Sequence, residues 1–121
     1  VFTVGFCFGG SNSWHQAANG LGLNGVVGFY GRPRRSETDA VVDRVGDMTC
    51  PVLALMGGDD PGIPQEAVDE LEAALAAAGV THEVVVYPGA PHSFFDRKQE
   101  EFGEASADSW RRIMGFIATN A

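Results

Sequence analysis

Cysteine is scarce in this sequence: Cys7 and Cys50 are the only two, and they form no C-x-x-C pair. That spacing excludes a disulfide scaffold, a thioredoxin-like redox motif and a paired-thiolate metal site. It points instead to reduced thiols in the cytoplasm. Basic residues are scarce too. Eight Lys and Arg stand against 16 Asp and Glu, for a net charge of −8. A surface that acidic argues against nucleic acid or an anionic membrane as a partner, since both need basic patches. No apolar run approaches the length of a membrane span. Internal repeats and low-complexity segments are missing as well, so the 121 residues read as one domain with a modest core. The chain opens on Val1, inside a strand pattern, rather than on Met. The expectation is therefore that the natural N-terminus lies elsewhere, and the lack of a signal peptide proves little.

Glycine, by contrast, is plentiful, with 16 residues, and its placement is informative. The apolar run Val1-Phe2-Thr3-Val4 leads into Gly5-Phe6-Cys7-Phe8-Gly9-Gly10. A strand that turns sharply through one residue into a helix needs glycine two positions before and two after that residue. Gly5 would leave room for the chain to double back, and Gly9 would let the helix start pack on the strand. This is the nucleophile-elbow pattern G-x-S-x-G with sulfur in place of the hydroxyl. The competing reading is a small buried Cys in a glycine-rich turn.

Downstream, Ser11 to Asn19 carries Trp14, Ala17 and Ala18 at helical spacing, with His15 read as solvated or capping. Leu23 to Gly31 is an apolar run suited to a strand buried on both faces. The loop Gly31 to Ser36 holds Arg32, Arg34 and Arg35, which read as a solvated cluster or as contacts for an anionic substrate. Thr38 to Val45 suggests a short helix. Cys50, before Pro51, reads as packing, and Val52 to Met56 as a third strand. Gly57 to Pro64 (GGDDPGIP) is a turn by composition, or a carboxylate presented at the strand's end. Gln65 to Ala78 is the clearest helix, with Val68, Leu71, Leu75 and Ala78 as its apolar stripe, acids in its first turns and Gly79 ending it. A fourth strand ends at Tyr87 and runs into Pro88-Gly89-Ala90-Pro91-His92-Ser93-Phe94-Phe95. The last helix, about Glu104 to Thr119, should bury Trp110, Ile113, Met114 and Ile117.

Alternating strands and helices predict an α/β fold: a mostly parallel sheet of about four strands with right-handed crossover helices. All strand C-termini then share one edge. Cys7, Asp60 and His92 each lie just past a different strand, in the order nucleophile, acid, histidine that α/β-hydrolases use. Thiolate is the attacking species, and a helix N-terminus with an imidazole nearby favours it. His92 would take the thiol proton and later protonate the leaving group. Asp60 would hold the ring in the needed tautomer, with Asp59 an equal candidate. The backbone N–H of Phe8 would form half of an oxyanion hole.

Gly-Phe-Cys-Phe-Gly-Gly, Gly-Gly-Asp-Asp-Pro-Gly-Ile-Pro and Tyr-Pro-Gly-Ala-Pro-His-Ser-Phe together resemble the three catalytic motifs of the dienelactone hydrolase (carboxymethylenebutenolidase) family. Ala-Asp-Ser-Trp-Arg-Arg is similar to its terminal helix. The resemblance implies an α/β-hydrolase that opens a small lactone or ester through a Cys-His-Asp triad, with no metal or cofactor. It places the nucleophile on Cys7, the acid on Asp60 and the base on His92. It matches the C-terminal half of such a protein. Of the substrate-binding residues it implies, the arginine after the histidine has no clear match: Asp96 stands at the fourth position on, and Arg97 one later. Tyr30 and Phe94 read as pocket walls or, equally well, as core packing. With the family's earlier strands absent, the first strand becomes a bare apolar edge, so self-association, as a dimer through that edge, is expected.

Overall fold

The computed structural model describes residues 1–121 and resolves the apolar runs into four parallel strands. These are β1 (Phe2–Phe6), β2 (Gly25–Phe29), β3 (Val52–Gly57) and β4 (His82–Tyr87), lying side by side in chain order. β2 and β3 are buried at every residue. Their sequences accordingly run as near-continuous Val, Leu, Ala, Phe and Met rather than alternating with polar residues. Because every connection is a crossover, all four strands end at one rim, as the pattern predicted.

Helices cover both faces of this sheet. On one face lie α1 (Phe8–Gln16) and α2 (Gln65–Ala77). There Thr3 meets Ser13 of α1, hydroxyl to hydroxyl at 2.7 Å, and His82 faces Glu72 of α2. On the other face lies α3 (Gly103–Asn120), where Phe2 meets Phe116 edge-on and Glu83 pairs with Arg112 at 3.0 Å. Trp14 is fully buried between α1 and the sheet, and its ring N–H donates to the Leu53 carbonyl at 3.2 Å. A Cβ on Gly28 would lie 2.3 Å from that ring nitrogen, so only glycine lets α1 approach so closely. Burying a side chain such as Leu53, Leu55, Leu71 or Leu75 contributes about 1.5–3 kcal/mol each, and all four are fully buried in one core cluster.

Three local expectations change. α1 starts at Phe8, directly after Cys7, rather than at Ser11. The segment expected to be helical from Thr38 to Val45 forms only two short 3-10 turns, Val41–Asp43 and Val45–Asp47. Val41 and Val42 are buried as expected, but β-branched valines and Gly46 are poor material for a continuous α-helix. Ile113 of α3 is buried beside Ser106 and Ser109, whereas Trp110 and Met114 are exposed. Helical spacing identifies the apolar stripe, but the sheet touches only one flank of it.

Candidate active site

Cys7 sits between β1 and α1 at φ 58° and ψ −121°, a region that residues with side chains rarely adopt. Its N–H donates to the Phe29 carbonyl at 3.1 Å, tying the turn to the end of β2. A Cβ on Gly5 would lie 1.9 Å from the Gly9 carbonyl oxygen, so the chain doubles back only because Gly5 has none. Gly10 makes the close approach to the sheet: its Cβ would fall 2.5 Å from the Phe29 carbonyl, while one on Gly9 would meet nothing within 4 Å. The packing role expected of Gly9 therefore belongs to Gly10. α1 begins at Phe8, so the Phe8 N–H is among those with no intrahelical acceptor.

The loops after β3 and β4 meet beside this turn. His92 Nδ1 lies 2.7 Å from Asp60 Oδ2. Asp60 is buried, and its other oxygen accepts the Gly62 N–H at 3.1 Å. A carboxylate beside Nδ1 accepts that nitrogen's N–H and so favours the tautomer that leaves Nε2 as the basic atom of a half-exposed ring. Asp59 is exposed and does not touch the histidine. The thiol's polar contact is the Ser93 hydroxyl, 3.8 Å away, rather than the imidazole. Ser93 is itself in the left-handed region at φ 65°. No sequence signal marks it, since its conformation is imposed by the loop.

Cys7, Phe8, Ser11, Tyr30, Arg32, Arg35 and His92 line one cavity of about 250 Å³. A larger cavity of about 660 Å³ lies between Tyr87 and the start of α3, but its wall holds Glu101, Glu104 and Asp108 and no nucleophile. Among the residues expected to bind substrate, Tyr30 forms part of the smaller cavity's wall. Phe94 is fully buried against Tyr30, Phe29 and Tyr87 and does not line it, and Arg97 is exposed on the loop outside it. The cavity's cations are Arg32 and Arg35 instead. Arg35 is held by Asp39 at 2.7 Å and by Asn12 at 3.1 Å, and its guanidinium lies 4.0 Å over the Phe8 ring. Its Nε and Nη1 are buried without a hydrogen-bond partner. Arg34 turns away to Asp43 and Glu70.

His15 belongs to the same corner. It lies 3.0 Å from Asp39 and 2.9 Å from the Arg44 guanidinium, which puts it in a polar chain behind Arg35 rather than in solvent. Burial, outweighed by bonds from His15 and Arg35, leaves the Asp39 carboxyl below its usual range. Cys50 is buried, and burial pushes its thiol up, as befits a packing residue.

Comparison with known proteins follows the same lines. The family model described as "Dienelactone hydrolase family" matches residues 1–121. A carboxymethylenebutenolidase-like protein of Salmonella typhimurium is 40% identical over 123 residues, covering 98% of this chain and 46% of the relative. A dienelactone-hydrolase-like crystal structure from Klebsiella pneumoniae superposes with TM-score 0.87 at 36% identity, over 97% of this chain and 51% of that one. A dienelactone hydrolase-like promiscuous phosphotriesterase from metagenomic libraries superposes with TM-score 0.81 at 26% identity, over 99% of this chain and 52% of that one. The chain thus spans about half the length of the relatives it matches.

Proposed function

The chain belongs to the dienelactone hydrolase family, and on that premise we propose that it cleaves a small ester or lactone with Cys7 as nucleophile, His92 as base and acid, and Asp60 as the residue that orients the imidazole. The observation that carries this reading is the Asp60–His92 pair at 2.7 Å on the cavity that also holds the Cys7 thiol. In the proposed reaction His92 Nε2 takes the thiol proton and the sulfur attacks the carbonyl carbon. The tetrahedral oxyanion is met by the Phe8 N–H. The carbon–oxygen bond to the leaving group breaks, and that oxygen takes the proton back from His92. Water, deprotonated by His92, then cleaves the thioester and restores the thiol. A rotation of the Cys7 side chain from Ser93 toward His92 must precede attack.

Arg32 and Arg35 on the cavity wall suit a substrate that carries a negative charge. A free thiol nucleophile also suits a reducing compartment such as the cytoplasm, and no helix of the structure is long and apolar enough to cross a membrane. The test is hydrolysis of an activated aryl ester by the chain and by Cys7→Ala; equal rates would remove the enzyme reading for this chain.

A second reading, an inactive half-domain that associates with itself, draws on a different observation. Val4 and Phe6 of β1 are exposed on the same side of the sheet as Trp110 and Met114 of α3. An open apolar edge of this kind pairs with another strand. Light scattering that finds only monomer across a range of concentrations would set this aside.

A further inference from the structure

We propose that Tyr30 is a positioning residue: its hydroxyl latches the loop that carries His92, and its ring fixes the angle at which that imidazole faces Cys7. The inference rests on the thiol-hydrolase reading and deepens it. Between β4 and α3 the chain runs from Pro88 to Phe102 with no helix or strand, so no backbone ladder holds His92 in place. Ser93, beside it, sits in the left-handed region, a conformation that persists only where the surroundings impose it.

Tyr30 supplies much of that constraint. Its hydroxyl donates to Asp96 Oδ1 at 2.8 Å, and the Asp96 N–H donates back to the same hydroxyl at 3.3 Å. Asp96 Oδ1 also accepts the Arg97 N–H at 2.8 Å, which closes the turn on the far side of the latch. The Tyr30 ring lies 4.9 Å from the His92 ring at 57° and meets Phe94 edge-on at 5.3 Å. The anchor itself is rigid. Tyr30 is fully buried, its N–H donates to the Leu55 carbonyl at 2.9 Å, and its backbone is held at φ 37°.

Two facts make this more than packing. First, the Cys7 N–H is bonded to Phe29, the residue before Tyr30, so the nucleophile's turn and the latch share the end of β2. Any shift of Tyr30 changes the histidine relative to the thiol. Second, the Asp60 bond fixes one ring nitrogen but leaves the imidazole free to swing about that bond. A flat aromatic neighbour on the ring removes that freedom. The latch also stays shut across the working range, because burial, reinforced by Asp96, keeps the Tyr30 proton on well beyond the ordinary phenol range.

The experiment is the pH dependence of Cys7 alkylation by iodoacetamide, read on the Cys7 peptide by mass spectrometry. Wild type is compared with His92→Gln, Tyr30→Phe, Asp96→Ala and Asp96→Asn, with circular dichroism confirming the fold of each. A thiolate stabilised by the imidazole reacts along a low-pH limb that His92→Gln loses. Tyr30→Phe and Asp96→Ala should each lower that limb roughly tenfold and move it upward in pH. Asp96→Asn keeps an acceptor for the hydroxyl and should stay within about twofold of wild type. Asp96 is exposed, so its variants carry the test even if Tyr30→Phe folds poorly. If Tyr30→Phe and Asp96→Ala keep the wild-type limb, Tyr30 is a packing residue and the proposal falls. If wild type and His92→Gln already share one profile, the thiol–imidazole pairing itself fails, and the latch falls with it.

Discussion

β1 and β4 are both edge strands of one sheet, yet they meet their surroundings differently. β4 is bordered by charge: Glu83 pairs with Arg112, His82 faces Glu72, and the Tyr87 hydroxyl donates to Asp108 at 2.7 Å. β1 carries no charged side chain and leaves Val4 47% and Phe6 36% exposed. α3, on the face of the sheet to which Phe2 and Phe6 point, also leaves Trp110 and Met114 exposed. Charge at an edge is how a strand is kept from pairing with another, and β1 has none. The division runs through the site as well. Asp60 and His92 stand on the finished side, bonded to each other, while Cys7 hangs from the bare one with its thiol turned to Ser93.

That contrast is broken most severely at the nucleophile. Cys7→Ala should lower aryl-ester hydrolysis by about three orders of magnitude or more, since no other group in the cavity replaces a thiolate. Asp60→Asn tests the finished side. Without a carboxylate on Nδ1 the imidazole loses its tautomer preference, and kcat should fall by roughly two to four orders of magnitude. Gly5→Ala strikes the hinge between strand and thiol, where the new methyl meets backbone. A loss of about 2–4 kcal/mol in urea unfolding is expected. Val4→Lys with Trp110→Gln gives the bare side the charge that the other already has. Any dimer should shift to monomer by light scattering, with stability changed by no more than about 0.5 kcal/mol.

The smallest effect is on the charged border. The Arg112 guanidinium, with the Tyr87 hydroxyl, holds the Asp108 carboxyl down to about 2, against an ordinary 3.8. A depressed carboxyl stabilises the fold fully above its unfolded value, and the contribution is lost as pH falls through the folded one. Asp108→Asn should therefore lower the melting temperature modestly at neutral pH and flatten part of its decline between pH 4 and 2, where wild type loses the same contribution. Burial, with Asp108, pushes Tyr87 up to about 12 from 10.0. That contribution is present below pH 10 and lost as pH rises through 12, so Tyr87→Phe should flatten the alkaline limb instead.

The parallel sheet and the three loops at its rim were legible because their signals are local and steric. Gly5 has no substitute, and β2 and β3 are apolar at nearly every position because both faces are covered. What escaped depends on contacts between distant residues. Asp59 and Asp60 differ only in how one turn is wound, and the Gly62 N–H on Asp60 fixes the winding. The arginine loop after β2 was read as a possible contact for an anionic substrate, but which of its members reach the cavity was not legible: Arg32 and Arg35 line it, whereas Arg34 is drawn off by Asp43 and Glu70. His15 read as solvated because nothing near it in sequence announces Asp39 or Arg44. Trp110 and Met114 fit their helical stripe, but an amphipathic pattern does not say what lies against it.

The convergence of Cys7 and His92 on one carbonyl is most directly tested by trapping the acyl-enzyme. The chain would be mixed with an activated acetyl ester, quenched in acid within the first turnover and digested for peptide mass spectrometry. The account predicts one acetyl group on the Cys7 peptide, formed much more slowly in His92→Gln. Acetylation at another residue, or at Cys7 with the same rate in both proteins, would contradict it.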